Sequence, residues 1–281
     1  MGDGTKITKF QRVLVANRGE IALRIYRALN ELGIQTVGIF SKEDKYALFR
    51  SRADESYMLN PDKGPVGAYL DIPEIIRIAK EHNVDAIHPG YGFLSENPDF
   101  VAACEEAGIA FIGPTKETMI AMGDKISSKE IANACNVPVI PGVDHPVHDI
   151  EEATQVAAQI GYPVMLKASN GGGGRGMRIV EKEEDLAKEY EEARNESRKA
   201  FGEEKIFIEK YLRNPKHIEA QILGDKYGNV VHLYDRDCSV QRRHQKVVEF
   251  APSFCLDEET RQMMFDDAIK LAKYVKFKSA G

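Results

Sequence analysis

Short apolar runs alternate with helical patterns over the first 120 residues or so, and this alternation limits most strongly what the chain can fold into. The segments that read as strands are residues 12–16, 34–40, 55–59, 84–88 and 109–112. Apolar side chains recur at helical spacing between them, over residues 19–32, 71–82 and 98–107. Strands that alternate with helices predict a parallel sheet covered on both faces. We therefore predict a Rossmann-like domain over residues 1–122.

A glycine-rich loop between two short apolar runs marks the middle of the chain. Residues 164–166 are apolar, Lys167 follows, and five glycines within residues 171–176 precede a second apolar run at residues 177–180. Successive glycine N–H groups can turn towards one anion without steric cost, and Lys167 and Arg175 add positive charge at either end. The pattern predicts a flap that covers a polyphosphate, with a plain flexible hairpin as the alternative.

Other phosphate-binding loops fit this stretch less well, although Gly171, Gly173 and Gly176 match a G-x-G-x-x-G pattern. A dinucleotide fingerprint opens a helix, whereas residues 177–180 read as a strand. A Walker A loop needs Lys and Ser or Thr directly after its last glycine, where this chain has Met and Arg. A protein kinase also needs catalytic and metal-binding loops, to which residues 235–237 are the nearest match.

Composition limits the class of protein and of partner. The 281 residues suffice for about two domains, and 43% apolar with 29% charged residues is ordinary for a globular protein. A net charge of −6 argues against nucleic acid as a partner. The four cysteines show no paired CxxC spacing, so neither a zinc site nor a disulfide framework is indicated. No apolar run reaches membrane-spanning length and no signal-peptide core is present, so we expect a cytoplasmic protein without a membrane partner.

The Rossmann-like domain offers one candidate site of its own. Its first strand-to-helix turn, residues 16–20, has one glycine where the dinucleotide fingerprint needs three. Residues 88–97 leave a strand at its carboxyl end, where ligands of open α/β sheets bind, and Tyr91 stands there between two glycines. A purely structural turn is the alternative. On the first helix, Arg27 and Glu31 are four residues apart, which is typical of a surface ion pair.

The second half of the chain reads as a small α+β lid followed by further strands. Residues 115–135 are helical, and prolines and glycine within residues 138–146 mark the best domain boundary. A helix at residues 150–160, the glycine hairpin, a helix at residues 183–201 and a strand at residues 205–209 make up the lid. Strands follow at residues 216–223 and 230–234, then an extended segment at residues 237–249 and a helix at residues 257–276.

The extended segment is strongly basic. On a regular strand, alternation places Arg242, His244 and Lys246 on one face. Three positive or titratable groups side by side favour an anion opposite them, and a solvated edge strand protected by its charge is the alternative.

The order of these segments resembles an ATP-grasp enzyme, and several strings resemble the biotin carboxylase component of biotin-dependent carboxylases. These strings are residues 16–24, 88–97, 167–177 and 236–249, and the resemblance extends over essentially the whole chain. Within that family, residues 64–71 and 214–219 are most similar to pyruvate carboxylases. The implied fold class is α/β and α+β: a Rossmann-like pre-ATP-grasp domain, then an ATP-grasp domain with a small lid and an incomplete large subdomain.

The resemblance implies a particular reaction and set of ligands. Bicarbonate attacks the γ-phosphate of ATP to give carboxyphosphate, whose breakdown supplies CO2 to a nitrogen of biotin. ATP, Mg²⁺ or Mn²⁺, bicarbonate, and biotin on a carrier domain outside this chain are the implied substrates and cofactors. The implied partners are the biotin carrier and carboxyltransferase domains of the parent enzyme, which converts pyruvate to oxaloacetate, together with a second copy in a homodimer.

The resemblance also implies roles for individual residues. The phosphates of ATP would contact Lys125, Lys167, Gly173, Gly174 and His244. The adenine would lie against a hinge made of Glu209, Lys210, Tyr211 and Leu212, mostly through its backbone, and the ribose against His217 and Gln241. Lys246 would bind bicarbonate and, with His244, take part in catalysis. Tyr91 and Gly92 would border the biotin pocket, and Arg27 and Glu31 would lie in the dimer contact. Because Gln241 and His244 fall on opposite faces of a regular strand, both can reach ATP only if the strand is irregular near Arg242 or Arg243.

One departure concerns the carboxylates that bind the metal in the family. They lie on strands that would follow residue 281, so no metal ligand is predicted in this chain, and we expect the isolated chain to be a truncated and inactive part of a longer carboxylase. The implied domains are residues 1–122, a helical linker at 123–142, the lid at 143–212 and the start of the large subdomain at 213–281. The alternatives are the biotin carboxylase of an acetyl-CoA or propionyl-CoA carboxylase, another ATP-grasp ligase, and a non-catalytic nucleotide-binding or dimerisation module.

Overall fold

The structure is a computed structural model that describes residues 9–123, 125–168, 177–201, 204–242 and 245–281. The chain divides into two compact units. The first unit contains Met1–Asp124, Leu223–Val230 and Val275–Gly281, and the second contains Lys125–Ile222 and Val231–Tyr274. Among the described residues, no helix combines the length and the apolar character that crossing a membrane requires.

The first unit is built on a five-stranded parallel sheet, as the alternating pattern predicts. Its elements are β1 (Arg12–Val15), α1 (Gly19–Glu31), β2 (Gln35–Phe40), β3 (Glu55–Met58), α2 (Gly64–Gly67), α3 (Ile72–Glu81), β4 (Ala86–His88), α4 (Pro98–Glu106), β5 (Ala110–Phe111) and α5 (Lys116–Gly123). The strand order is β3-β2-β1-β4-β5, and every pairing is parallel. The order changes direction beside β1, which places the carboxyl ends of β1 and β4 where such sheets bind ligands.

Alternation along β1 explains why both faces of this sheet are covered. Val13 and Val15 point into a cluster completed by Ile25 and Leu29 of α1. Leu14 points the other way, into a cluster completed by Ile78 of α3 and other apolar side chains. Each fully buried side chain of this size contributes roughly 1.5–3 kcal/mol relative to exposure, so the two clusters fix the register of the sheet.

Several local elements differ from the sequence-based expectation. The segment near residues 45–50 forms two 3₁₀ turns, Lys42–Asp44 and Leu48–Arg52, instead of one helical piece. The helix expected over residues 115–135 is two helices, and the first ends at Gly123, a residue with low helix propensity. The short helix α2 had no apolar period that could predict it.

The second unit contains an α+β lid. Its elements are α6 (Lys125–Ala134), α7 (Ile150–Ile160), β6 (Val164–Ala168), β7 (Met177–Val180), α8 (Glu183–Phe201) and β8 (Ile206–Lys210). The sheet order is β7-β6-β8, with both pairings antiparallel, so the predicted hairpin is confirmed for the strands that flank the glycine loop. Leu166 of β6, Ile208 of β8 and Leu186 of α8 share one buried core.

Residues 141–147, here called the strap, run along the free edge of β8. Val143 N donates to Ile208 O at 3.1 Å, Val147 N donates to Ile206 O at 2.8 Å, and Lys210 N donates to Pro141 O at 2.7 Å. These bonds satisfy backbone groups of β8 that would otherwise face solvent. The strap therefore ties the segment before α7 to the strand that carries Glu209.

A third sheet, of four strands, follows the lid. Its strands are β9 (Ile218–Gly224), β10 (Val230–Arg242), β11 (Gln245–Phe250) and β12 (Ser279–Ala280), in the order β11-β10-β9-β12, and α9 (Glu258–Tyr274) precedes β12. The expectation of one extended segment over residues 237–249 is wrong, because β10 and β11 are antiparallel neighbours. Lys246 therefore lies directly opposite Gln241 and not further along the same strand.

Candidate functional site

Three predicted site residues meet on the β9–β11 sheet. The amide Nε2 of Gln241 lies 3.1 Å from Nδ1 of His217 and donates to the backbone oxygen of Cys238 at 2.9 Å. Lys246, the register partner of Gln241, contacts the carboxylate of Glu219. We call His217, Glu219, Gln241 and Lys246, with Arg236, the sheet cluster. The pairing of β9, β10 and β11 brings its members together from three strands and the residue before β9.

Glu219 is the centre of the sheet cluster. Arg236 donates through Nε to Glu219 Oε1 at 2.9 Å, and His217 Nε2 lies 3.7 Å from Oε2. Burial, the largest influence, raises the pKa of Glu219, but hydrogen bonds from Lys246 and Arg236 together bring that pKa below its usual value. Hydrogen bonding to Glu219 in turn raises the pKa of Lys246. Both side chains are therefore charged at neutral pH, and Lys246 presents a protonated ammonium group.

The same region contains a set of potential metal ligands that does not suit Mg²⁺. Ligand atoms of Glu219, Cys238 and Glu249 lie within 4.8 Å of one another. Mg²⁺ prefers oxygen ligands in octahedral geometry, whereas this set includes a thiol whose pKa is raised by burial. Arg236 already pairs with both carboxylates, at 3.5 Å in the case of Glu249. No Mg²⁺ ligand is assigned among the described residues for these reasons.

Register shifts are present in the basic segment, but they precede Gln241 and so do not lie between Gln241 and His244, where the irregularity was predicted. The register between β10 and β11 shifts between Asp237 and Val240 and again between Val240 and Gln241. Such shifts redirect the side chains that follow them. Arg242, near which the irregularity was expected, is the last residue of β10, and residues 243 and 244 lie outside the described part of the chain.

The open face of the lid sheet carries a second group of charged side chains. Val164, Leu166 and Ala168 of β6 face the core, so Lys167 points to the opposite face. Lys167 contacts Glu209 of β8, a diagonal neighbour across the strand pair, and Lys129 of α6 lies 3.7 Å from the other carboxylate oxygen of Glu209. Lys129 also pairs with Asp144 of the strap at 3.2 Å.

The predicted adenine hinge is held by its neighbours on both sides. Lys210 donates its side-chain ammonium to the backbone oxygens of Gly161 at 2.8 Å and Tyr162 at 3.0 Å. Tyr211 donates its N–H to Pro163 O at 3.1 Å. Leu212 is about half exposed. Because the ammonium of Lys210 is engaged with the turn before β6, this residue offers a ligand its backbone and not its charge.

Several predicted site residues lie outside the described part of the chain, and the sequence analysis did not identify some residues that contact the others. Gly173, Gly174 and His244 lie outside the described residues, as does the side chain of Lys125, which begins α6. Sequence reasoning gave no role to Glu219, Arg236 or Lys129. Glu219 could have been found, since it stands two residues after His217 and shares its strand face. Arg236 and Lys129 are distant in sequence from Glu219 and Glu209, so these contacts are visible only in the folded chain.

The first unit places Tyr91 and Gly92 at the carboxyl end of β4. Asn17, which follows β1 and is almost fully buried, donates its side-chain amide to Pro89 O at 2.7 Å and to Tyr91 O at 2.8 Å. Gly90 has a φ of +69°, and a Cβ there would lie 2.7 Å from Nδ2 of Asn17, so only glycine fits. The loop that carries Tyr91 is thus fixed by the end of β1.

The exposed side chain of Tyr91 has one described partner, the carboxylate of Glu20 in the first turn of α1. The hydrogen bond from Tyr91 lowers the pKa of Glu20. Arg27 and Glu31 are both exposed on α1, and the ion pairs of the described residues do not include the expected one between them. Both side chains are therefore available on the surface of this helix.

Comparison with known proteins identifies the family to which the chain is similar. The family model described as "Biotin carboxylase, N-terminal domain" matches residues 9–119, and the model described as "Carbamoyl-phosphate synthase L chain, ATP binding domain" matches residues 124–281. The chain is 53% identical to human "Pyruvate carboxylase, mitochondrial" and 55% identical to pyruvate carboxylase of Bacillus subtilis (strain 168), each over 271 residues. These alignments cover 96% of this chain and only 23% and 24% of the two relatives.

A solved structure agrees with these matches. The biotin carboxylase domain dimer of Hydrogenobacter thermophilus 2-oxoglutarate carboxylase, in complex with MgADP, ADP and bicarbonate, is 52% identical and superposes with a TM-score of 0.83. The match covers 98% of this chain and 60% of that one. The predicted fold class, a Rossmann-like domain followed by an ATP-grasp domain, is confirmed. The chain belongs to the biotin carboxylase family, in which a biotin carboxylase N-terminal domain is followed by the ATP-binding domain of the carbamoyl-phosphate synthase L chain type.

Proposed function

We propose that this chain forms part of the ATP-dependent site at which a pyruvate carboxylase carboxylates biotin with bicarbonate. The observation that carries the proposal is the sheet cluster, in which a protonated Lys246 lies opposite Gln241 and the Gln241–His217 pair. Such a cation suits an anionic substrate, and the related 2-oxoglutarate carboxylase domain was solved with MgADP and bicarbonate. Carboxyphosphate would form when bicarbonate attacks the γ-phosphate of ATP.

The lid and hinge would position the nucleotide. Lys125, Lys167, Gly173, Gly174 and His244 would contact phosphates, and the adenine would lie against Glu209, Lys210, Tyr211 and Leu212. The backbone N–H groups of Lys210 and Tyr211 point to opposite sides of this extended segment. The N–H of Lys210 points towards Pro141 and that of Tyr211 towards Pro163. Continued alternation would turn the N–H of Leu212 to the Pro141 side, together with the C=O of Lys210. One acceptor and one donor on the same edge match the edge of adenine.

The sheet cluster would hold the ribose and the bicarbonate. His217 and Gln241 are already joined by a hydrogen bond, so both can reach one sugar. Lys246 would bind bicarbonate through its ammonium group, and Lys246 and His244 are the residues we assign to catalysis. Phosphoryl transfer needs mainly positioning and charge neutralisation, which a cation beside the reacting oxygens supplies. Mg²⁺ or Mn²⁺ would neutralise phosphate charge when bound.

Biotin and the protein partners would bind to other parts of the chain. Tyr91 and Gly92, held by Asn17 at the carboxyl end of β4, would border the biotin pocket. Biotin itself would arrive on a carrier domain, and a carboxyltransferase domain would then pass the carboxyl group to pyruvate.

Arg27 and Glu31, exposed on α1, would lie in a homodimer contact, as the dimeric state of the 2-oxoglutarate carboxylase domain suggests. Cytoplasmic localisation stays a prediction.

Ligand binding and turnover test the proposal in two steps. Calorimetry on this chain is expected to detect MgADP, with about tenfold weaker binding in Lys167→Met, because one phosphate contact is lost. The matched control is Lys270→Met, which removes an exposed lysine on α9. Joining the chain to the segment that follows the matched region in the Bacillus subtilis relative is then expected to give bicarbonate-dependent ATP cleavage that free biotin stimulates. Lys246→Met should reduce that rate about a hundredfold or more.

Each competing function gives a different result in these assays. ATP cleavage that needs no bicarbonate but responds to another carboxylate or amine would identify a different ATP-grasp ligase. MgADP binding without turnover in the extended chain would indicate a non-catalytic module. No binding of MgADP by this chain would contradict the nucleotide site itself.

A further inference from the structure

The carboxylate of Glu209 lies between two lysines that come from different elements. Lys167 of β6 contacts Oε2, and Nζ of Lys129 on α6 lies 3.7 Å from Oε1. Lys129 is held in turn by Asp144 of the strap, at 3.2 Å. Lys129 belongs neither to the phosphate-binding residues nor to the adenine hinge, so its place beside both of them needs its own explanation.

The three side chains are only partly exposed to water. Exposed fractions are 22% for Lys129, 29% for Lys167 and 18% for Glu209. All three sit on regular secondary structure, and the strap fixes the edge of β8. Charges in such a setting are screened far less than charges on an open surface.

This arrangement sets up a competition at Lys167. In the structure its ammonium is neutralised by Glu209, whereas phosphate binding requires the same ammonium to turn to a phosphate oxygen. If Glu209 had no other partner, that change would leave a largely buried carboxylate uncompensated, which is strongly unfavourable. Lys129 already lies near the second oxygen and can keep the charge of Glu209 compensated.

We propose that Lys129 is a positioning residue of the nucleotide site: it compensates Glu209 so that Lys167 can leave Glu209 for a phosphate group. The ligand class is a nucleoside di- or triphosphate, and Lys129 acts through Glu209 without touching it. Asp144 keeps Lys129 on the strap side of Glu209. The inference rests on the proposed role of Lys167 in phosphate binding.

The test compares a ligand that carries phosphates with one that carries only the base and sugar. Affinities for MgADP and for adenosine are measured by calorimetry in the native chain, Lys129→Met, Lys129→Arg and the control Lys270→Met. Lys129→Met should weaken MgADP about tenfold and leave adenosine within about twofold, because only phosphate binding draws Lys167 away from Glu209. Lys129→Arg keeps the charge and should restore the native ratio. Equal weakening of both ligands would indicate a merely structural role and overturn the proposal.

A double-mutant cycle asks whether Lys129 acts through Glu209. With Glu209→Gln there is no carboxylate charge to compensate, so adding Lys129→Met should no longer change the ratio of MgADP to adenosine affinity. The same loss in both backgrounds would show that Lys129 acts on the phosphates directly, against the proposal.

A measurement without nucleotide separates failure of this inference from failure of the proposed function. If the native chain binds neither ligand, the nucleotide site is contradicted, and the rate at which an acylating reagent labels the amine of Lys167 decides the role of Lys129. Lys129→Met should slow that labelling, because Glu209 then interacts with Lys167 alone, and labelling at the native rate would overturn the inference. Native MgADP binding with an unchanged ratio in Lys129→Met overturns the inference and leaves the proposed function intact.

Discussion

Lys246 carries a protonated ammonium group at neutral pH, as an ordinary lysine does, and the hydrogen bond that it donates to Glu219 raises its pKa further. A protonated ammonium binds an anion and cannot act as a base, so the charge state assigns Lys246 to substrate binding. The density of basic residues predicted an anion opposite this segment, and the family resemblance implied that Lys246 binds it. The sequence could not identify Arg236 as a second partner of Glu219, because the contact depends on the pairing of β9 with β10.

The pH dependence of stability provides a test at the residue scale. The pKa of Glu219 is lowered in the folded chain, so its stabilising contribution is complete above the usual carboxyl pKa and is lost as pH falls through the folded value. The raised pKa of Lys246 means that its contribution is complete below the usual lysine pKa and is lost as pH rises through the folded value. Between about pH 6 and about pH 9 both groups are charged.

Glu219→Gln should therefore lower the free energy of unfolding by about 1–3 kcal/mol at neutral pH, because Lys246 and Arg236 lose a charged acceptor. Urea unfolding should show a constant difference from the native chain between about pH 6 and about pH 9, and a difference that shrinks as Glu219 protonates at acid pH. Glu258→Gln, which changes a highly exposed carboxylate, is the matched control. A difference that persists undiminished at about pH 2 would contradict the ion-pair explanation.

At the scale of elements, the sequence predicted best where side-chain periodicity alone decides the structure. The strands and main helices of the first unit follow from buried alternation and helical spacing. The β10–β11 pair was taken for one strand because residues 243 and 244 are Arg and His, without the Gly, Asn or Pro that usually marks a turn. The strap had no sequence signal either, since it joins β8 through backbone hydrogen bonds.

The two hydrogen bonds that the Lys210 side chain donates to the turn before β6 can be tested at this scale. The Lys210 ammonium donates to two backbone oxygens at the end of α7, where a cation also complements the helix dipole. Lys210→Met should lower the free energy of unfolding by about 1–3 kcal/mol, because two carbonyls lose a charged donor. It should also weaken adenosine binding, since the turn before β6 no longer holds the hinge. Differential scanning calorimetry and adenosine titration measure the two effects, with exposed Lys182→Met as the control. Unchanged stability would mean that the two hydrogen bonds contribute nothing in solution.

At the scale of the whole molecule, two kinds of site are assigned to two units. The first unit has the parallel sheet and strand order of a nucleotide-binding fold, yet its turn after β1 has the single glycine Gly19, and Asn17 uses its amide to hold the Tyr91 loop. The second unit carries Lys167, the hinge and the sheet cluster. The sequence predicted a nucleotide site in the second unit from the glycine hairpin, and the missing dinucleotide fingerprint argued against the first. The side chains that contact the predicted residues became visible only in the fold.

Hydrogen exchange with and without MgADP decides which unit binds the nucleotide. Binding should slow exchange at residues 209–212 and along β9, β10 and β11, because the ligand would cover the hinge and the sheet cluster. Amides of residues 88–92 should exchange at an unchanged rate, since their loop is fixed by Asn17 and is assigned to biotin. Lys167→Met, compared at the same MgADP concentration, should reduce the protection in the second unit in proportion to its lost affinity. Protection confined to residues 16–20 and 88–92 would instead place the nucleotide at the carboxyl edge of the parallel sheet, as in a Rossmann-type dinucleotide site, and would overturn the assignment of the hinge.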